Sequence, residues 1–117
     1  MKKINFLTKG TLHSSQVFQY KTRDGRGIFA FSYEQEIGHY EIVIHQLPNY
    51  NGRDERRSIA HWNPCDASPI DKKICFTTGK EPKTLEKAKK ISMEWSELTW
   101  TYILSGITID EQLIRRN

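Results

Sequence analysis

From Thr84 to Gly106 the chain carries one unbroken helical pattern, and no earlier segment repeats it at that length. Leu85, Ala88, Ile91, Trp95, Leu98 and Tyr102 recur at helical spacing on one stripe. Met93, Trp100, Ile103 and Leu104 widen the stripe toward the C-terminal half, while Lys83, Lys87, Lys89 and Lys90 keep the first half solvated. Thr84 has a side-chain oxygen to cap the first turn, and Gly106 can take the left-handed conformation that ends a helix. A long amphipathic helix needs an apolar surface to cover, and here only the preceding residues can build one. A short terminal helix is predicted after it, because Thr108-Ile109-Asp110-Glu111 is a capping-box pattern leading into Gln112–Arg116.

The preceding residues read as strands. Residues 15–22 carry Val17, Phe18 and Tyr20 in rough alternation. Asp24-Gly25 supplies the turn chemistry of a hairpin. In Gly27–Tyr33, Phe29, Phe31 and Tyr33 face one way and Ile28, Ala30 and Ser32 the other. His39–Leu47 places Tyr40, Ile42 and Ile44 on one face, and Pro48 ends it. Ser58–Trp62 is expected to be a short fourth strand, residues 63–71 irregular, and Lys73–Thr78 a short extended segment. The fold class is therefore α+β: an antiparallel β-meander covered on one face by a long C-terminal helix and a short terminal helix, in a single domain spanning residues 1–117.

Two cysteines are too few for a disulfide framework and fit a reducing compartment. The apolar run at the start stops at Leu7, too early for a secretory signal, and no run is long enough to span a membrane. The expected setting is cytoplasmic, with no membrane partner. A net charge of +4 is only mildly basic, so nucleic acid is not the favoured partner.

The chemistry-bearing residues cluster between the meander and the long helix. Cys75, in Ile74-Cys75-Phe76, closes an irregular segment where a thiol can meet loops, although its apolar neighbours also suit a buried structural cysteine. Lys72, Lys73 and Lys80 are the nearby cations that would favour a thiolate. Cys65 is the competing thiol, disfavoured by Asp66 beside it. His61 and Asn63 alternate, so an extended backbone points both one way, with Trp62 opposite. A thiolate can attack a carbonyl, and an amide N–H can steady the resulting oxyanion. Catalytic Cys75, Asn63 and His61 thus make a covalent acyl-transfer site that needs neither cofactor nor metal. The competing use, zinc bound by His61, Cys65, Cys75 and His39 or His45, lacks close-spaced ligand pairs.

The order of these parts resembles the ubiquitin-conjugating enzymes. That family has a meander, then a His-Pro-Asn triplet, then a catalytic cysteine in an Ile-Cys-Leu context, then a helix. The matching residues here are His61-Trp62-Asn63 and Ile74-Cys75-Phe76, within a resemblance covering residues 15–106. It implies that Cys75 carries an acyl group as a thioester, that Asn63 stabilises the oxyanion, and that His61 holds the asparagine's loop. The chain departs from the family at Trp62, which replaces a proline, and in a longer histidine-to-cysteine interval. Residues 1–14 do not read as the helix that usually precedes the meander. A compact form of this kind is similar to bacterial conjugating-enzyme-like proteins of antiphage signalling operons. That likeness implies a protein partner supplying a C-terminal carboxyl, with a nucleotide cyclase as the specific expectation.

Two readings stand beside it. One is a non-enzymatic binding module, an inhibitor or immunity-type protein from a mobile element. The other is a nucleic-acid binder using Arg53, Arg56, Arg57 and the lysines of the first helical turns, although the mixed charges of Arg53–Arg57 also suit a solvated turn.

Overall fold

The computed structural model describes residues 16–116. The reading of residues 1–14 as non-helical lies outside that range. Strand β1 (Phe18–Lys21) pairs antiparallel with β2 (Ile28–Glu36), and β2 with β3 (His39–Gln46). The β1–β2 turn forms as its Asp-Gly predicts. Gly25 has φ 77°, and Asp24 accepts from the Thr22 hydroxyl at 2.7 Å and the Arg26 N–H at 2.9 Å. The β2–β3 connection is tighter than the polar stretch Glu34–Gly38 suggests. Both strands run on until only Ile37 and Gly38 remain between them.

The expected fourth strand at Ser58–Trp62 is instead a short helix, α1 (Arg57–Ala60), followed by β4 (Trp62–Asn63). Its turn is closed by His61 in the left-handed region, and its Ala60 packs into a cluster with Tyr50, Tyr102 and Ile103. Burying Ala60 there outweighs the β preference of Ile59. Strand β5 (Lys72–Ile74) then inserts between β3 and β4, completing a five-stranded sheet of order β1-β2-β3-β5-β4.

Helix α2 (Leu85–Ser105) crosses one face of the sheet, and α3 (Ile109–Arg116) follows. Phe29, Phe31, Ile42, Ile44 and Ile74 meet Ala88 and Trp95 in the core, where each large apolar side chain contributes about 1.5–3 kcal/mol. Trp95 stands edge-on to both Phe29 and Phe31. Met93 and Leu104, expected to widen the buried stripe, are exposed instead, as is Leu85. Their places against the sheet are taken by Ser92, Ser96 and Thr99, all buried. Ser92 bonds to Tyr33 at 2.7 Å, and Ser96 donates to the Ser92 carbonyl at 2.7 Å. Ser92 and Ser96, whose hydroxyls bond back to carbonyls within the helix, let it lie close to the strands, while the buried Thr99 hydroxyl has no partner among the described residues. Among the described residues no helix is long and apolar enough to cross a membrane.

Candidate functional site

Helix α1 and strand β4 meet at His61, whose backbone turns left-handed (φ 61°, ψ 55°). Residue 61 is therefore not extended, and the simple alternation that would align His61 with Asn63 does not apply. Strand pairing aligns His61 with Cys75 instead. Trp62 lies opposite Ile74 and Asn63 opposite Lys73, and the Cys75 N–H donates to the His61 carbonyl at 3.1 Å. The pairing continues one step beyond the strands and sets the thiol-bearing residue across from the histidine.

The His61 imidazole is committed elsewhere. Its Nε2 lies 2.9 Å from Asp110 Oδ1, in the first turn of α3, so the ring fastens β4 to that helix. Asn63 is also oriented. Arg57 Nη2 donates to Asn63 Oδ1 at 2.7 Å. With the amide oxygen taken by a guanidinium, the amide nitrogen must point the other way, and it has no acceptor among the described residues. The sequence offers Arg57 only as a nucleic-acid contact and Asp110 only as part of a helix start, not as partners of Asn63 and His61. One belongs to a charge run, the other to a capping box, and their roles depend on contacts made only in the fold.

Cys75 is a free, half-buried thiol residue that borders two cavities. The first is a wide, open groove of about 730 Å³ whose lining includes Arg57, His61, Trp62, Asn63 and Cys75. The second is a slot of about 190 Å³ beneath α2 and α3, lined mainly by apolar side chains such as Ile91, Leu98 and Ile109. The two share His61 and Cys75. Trp95 also borders the slot; it is 6% exposed, and its buried indole N–H has no acceptor among the described residues. The three residues singled out from the sequence thus border one groove. Cys65 does not line it. It sits in the loop before β5, its N–H bonded to Asp71 Oδ1 at 3.0 Å.

The lysines expected near Cys75 have other neighbours. Lys73 Nζ lies 2.7 Å from Glu41 Oε1, and that bond holds its ammonium above the ordinary lysine range. Burial pushes Glu41 up, but hydrogen bonds from Lys73 and His39 outweigh it and hold the carboxyl below its usual range. Lys80 borders a separate cleft with Lys83 and Lys87. Lys72 Nζ lies over the Trp62 ring, 4.2 Å from its centroid. The arginines expected to grip phosphate are likewise engaged. Arg53 Nε donates to the Ile103 carbonyl at 3.1 Å near the end of α2, and Arg56 pairs with Asp54 at 2.8 Å. The weighed zinc set does not assemble: among the described residues no three His, Cys, Asp or Glu side chains form a group that could hold a metal.

The arrangement places a thiol, an amide held through its oxygen and a guanidinium along one open groove, which suits attack on a carbonyl with a donor for the developing oxyanion. No family model, no curated protein and no solved structure matches this chain.

Proposed function

We propose that this chain is a small conjugating-type acyl transferase that carries the C-terminus of a partner protein as a thioester on Cys75. The incoming acyl group arrives as a thioester on a donor thiol. The Cys75 thiolate attacks its carbonyl carbon, an oxyanion forms, and collapse expels the donor thiolate, which takes up a proton. An acceptor amine then attacks the Cys75 thioester, expels the Cys75 thiolate and loses its surplus proton to solvent. Asn63 Nδ2 donates to the oxyanion in each step. Arg57 keeps the amide from rotating, and His61, tied to Asp110, holds β4 in register against Cys75. The setting is cytoplasmic, and the specific partner in this reading is a nucleotide cyclase of bacterial antiphage defence.

The observation that supports this reading most is the Arg57–Asn63 bond, which occupies the amide oxygen and leaves the amide nitrogen without an acceptor among the described residues, on a residue that lines the same groove as Cys75. Two measurements test it. Iodoacetamide should label Cys75 in native protein. Labelling of Cys75 only after unfolding would overturn the acyl-transfer reading in favour of the binding module. A peptide thioester should leave an acyl adduct on the wild type that is absent from Cys75→Ala. Asn63→Ala should slow adduct formation by roughly 10²–10³-fold with iodoacetamide labelling unchanged.

A further inference from the structure

We infer that the groove beside Cys75 receives an acidic C-terminal peptide segment, with an apolar side chain near its end seated in the adjoining slot. The orientation of that peptide, carboxyl end toward the sulfur, rests on the reading of Cys75 as acyl carrier. The acidic character does not.

Charge carries the first half. Arg57 lines the groove, and Lys72 reaches its border through the ring of Trp62, a lining residue; neither cation has a carboxylate partner among the described residues. Neighbouring cations are neutralised: Arg56 by Asp54, Lys73 by Glu41. Arg57 and Lys72 are instead held against Trp62, with Arg57 Cζ 5.9 Å and Lys72 Nζ 4.2 Å from the ring centroid. An aromatic ring steadies a cation without cancelling its charge, so both remain available to an incoming anion. The same contacts separate peptide from nucleic acid. Single strands are gripped by bases stacking on open aromatic faces, and here cations already lie against the ring.

The slot carries the second half. It opens off the groove at His61 and Cys75, and about 190 Å³ suits an aliphatic side chain rather than a nucleobase with its sugar. Its walls include Ile91, Leu98 and Ile109, so an apolar group gains by entering.

The test uses Cys75→Ala protein, which binds without reacting, and a fluorescent peptide with three glutamates ahead of a C-terminal leucine. Anisotropy at low salt should show saturable binding, weakened at least tenfold when the glutamates become lysines or the leucine becomes aspartate. Lys72→Glu, which leaves the Arg57–Asn63 bond in place, should weaken it by a similar factor, with its circular dichroism melt matching the parent. Equal binding of the lysine peptide, or no response to Lys72→Glu, would overturn the inference. Tighter, Lys72-dependent binding of an oligothymidylate would reassign the groove to nucleic acid and overturn it as well. Binding of the acidic peptide without any adduct on the wild type would support the acidic groove and remove the acyl-transfer reading. Adducts formed equally fast from glutamate and lysine thioesters would do the reverse.

Discussion

Gly27 lies where the β1–β2 turn meets the Trp100 ring, and it leaves no room for a side chain. A Cβ there would sit 2.8 Å from Trp100 Cδ2, 2.9 Å from Cε3 and 3.0 Å from Thr22 Cγ2. The ring is not free to retreat, because its N–H donates to Asp24 Oδ2 at 2.7 Å. That bond, with those from Thr22 and Arg26, holds the Asp24 carboxyl down at about 2. Gly27→Ala is therefore expected to destabilise the fold by about 1–3 kcal/mol, the usual cost of overpacking, read as a lower urea midpoint at unchanged slope. Gly25→Ala is the control. Its φ of 77° costs a side chain strain, but nothing lies within 4 Å, so the loss should stay near 1–2 kcal/mol and leave Trp100 fluorescence unmoved. An unaltered midpoint for Gly27→Ala would mean the ring shifts at no cost. The two glycines also mark what one residue discloses in sequence. Asp24-Gly25 announces a turn by local chemistry. Gly27 gives no sign, because its constraint comes from a tryptophan far along the chain. Asn63 is similar: its type suggested an oxyanion donor, but its orientation depends on Arg57 across a helix turn.

At the scale of elements, the long helix was legible from end to end because both of its ends are settled locally. Thr84 Oγ1 accepts from the Lys87 N–H at 3.1 Å, and Gly106 closes the helix with φ 82° and a bond to the Tyr102 carbonyl. Arg53 adds something the sequence hides. Its guanidinium packs against Gly106 and bonds the Ile103 carbonyl, placing positive charge at the negative end of the helix dipole. Thr84→Ala should cost about 1 kcal/mol of global stability in urea denaturation, and Thr84→Asp should restore it. No loss on alanine substitution would show that the first turn is held by packing alone. The strands of the meander were legible too, since nine and eight residues of alternation are enough to fix a face. Strands β4 and β5 were not, having only two and three residues and so no period to detect. Their pairing decides where Cys75 sits relative to His61 and Asn63, so the candidate site could be named by residue type but not assembled. Helix α1 was hidden for a related reason: four residues leave propensity too weak against the burial of Ala60.

Across the whole molecule, the titrating groups that the fold perturbs set a stability curve with an early acid arm. His45 lies on β3, with its Nε2 2.8 Å from the Ser32 hydroxyl on β2. Burial lowers its pKa from 6.5, and the Glu34 carboxylate nearby only partly opposes that shift. A histidine held neutral by the fold contributes stability that is complete above 6.5 and is lost as pH falls through its folded value, because the unfolded chain takes the proton first. Glu41 acts in the same direction further down. Its depressed carboxyl contributes above 4.5 and loses that contribution as acid titrates it away from Lys73 and His39. On the alkaline side the sign reverses. Tyr20 is raised from 10.0 to about 12 by burial and by its hydroxyl bond to Glu97, so its contribution is complete below 10.0 and disappears as pH rises through about 12. The curve should therefore fall on both sides of a broad maximum, and each arm has its own variant. Difference curves from urea denaturation at stepped pH separate them. His45→Gln keeps a polar partner for Ser32 and should remove the part of the decline that begins near 6.5, leaving the steeper loss below 4.5 in place. Tyr20→Phe should lower stability at neutral pH by about 1 kcal/mol for the lost hydrogen bond, and should make the decline between 10.0 and about 12 shallower, the rest belonging to Tyr33 and Tyr50, which burial also raises. If His45→Gln declines in parallel with the wild type from pH 6.5 downward, the imidazole carries no linkage and the mild-acid arm belongs to another group. His45 lies on β3, two strands from β4 and outside the groove's lining, so His45→Gln should leave iodoacetamide labelling of Cys75 unchanged across the same pH steps.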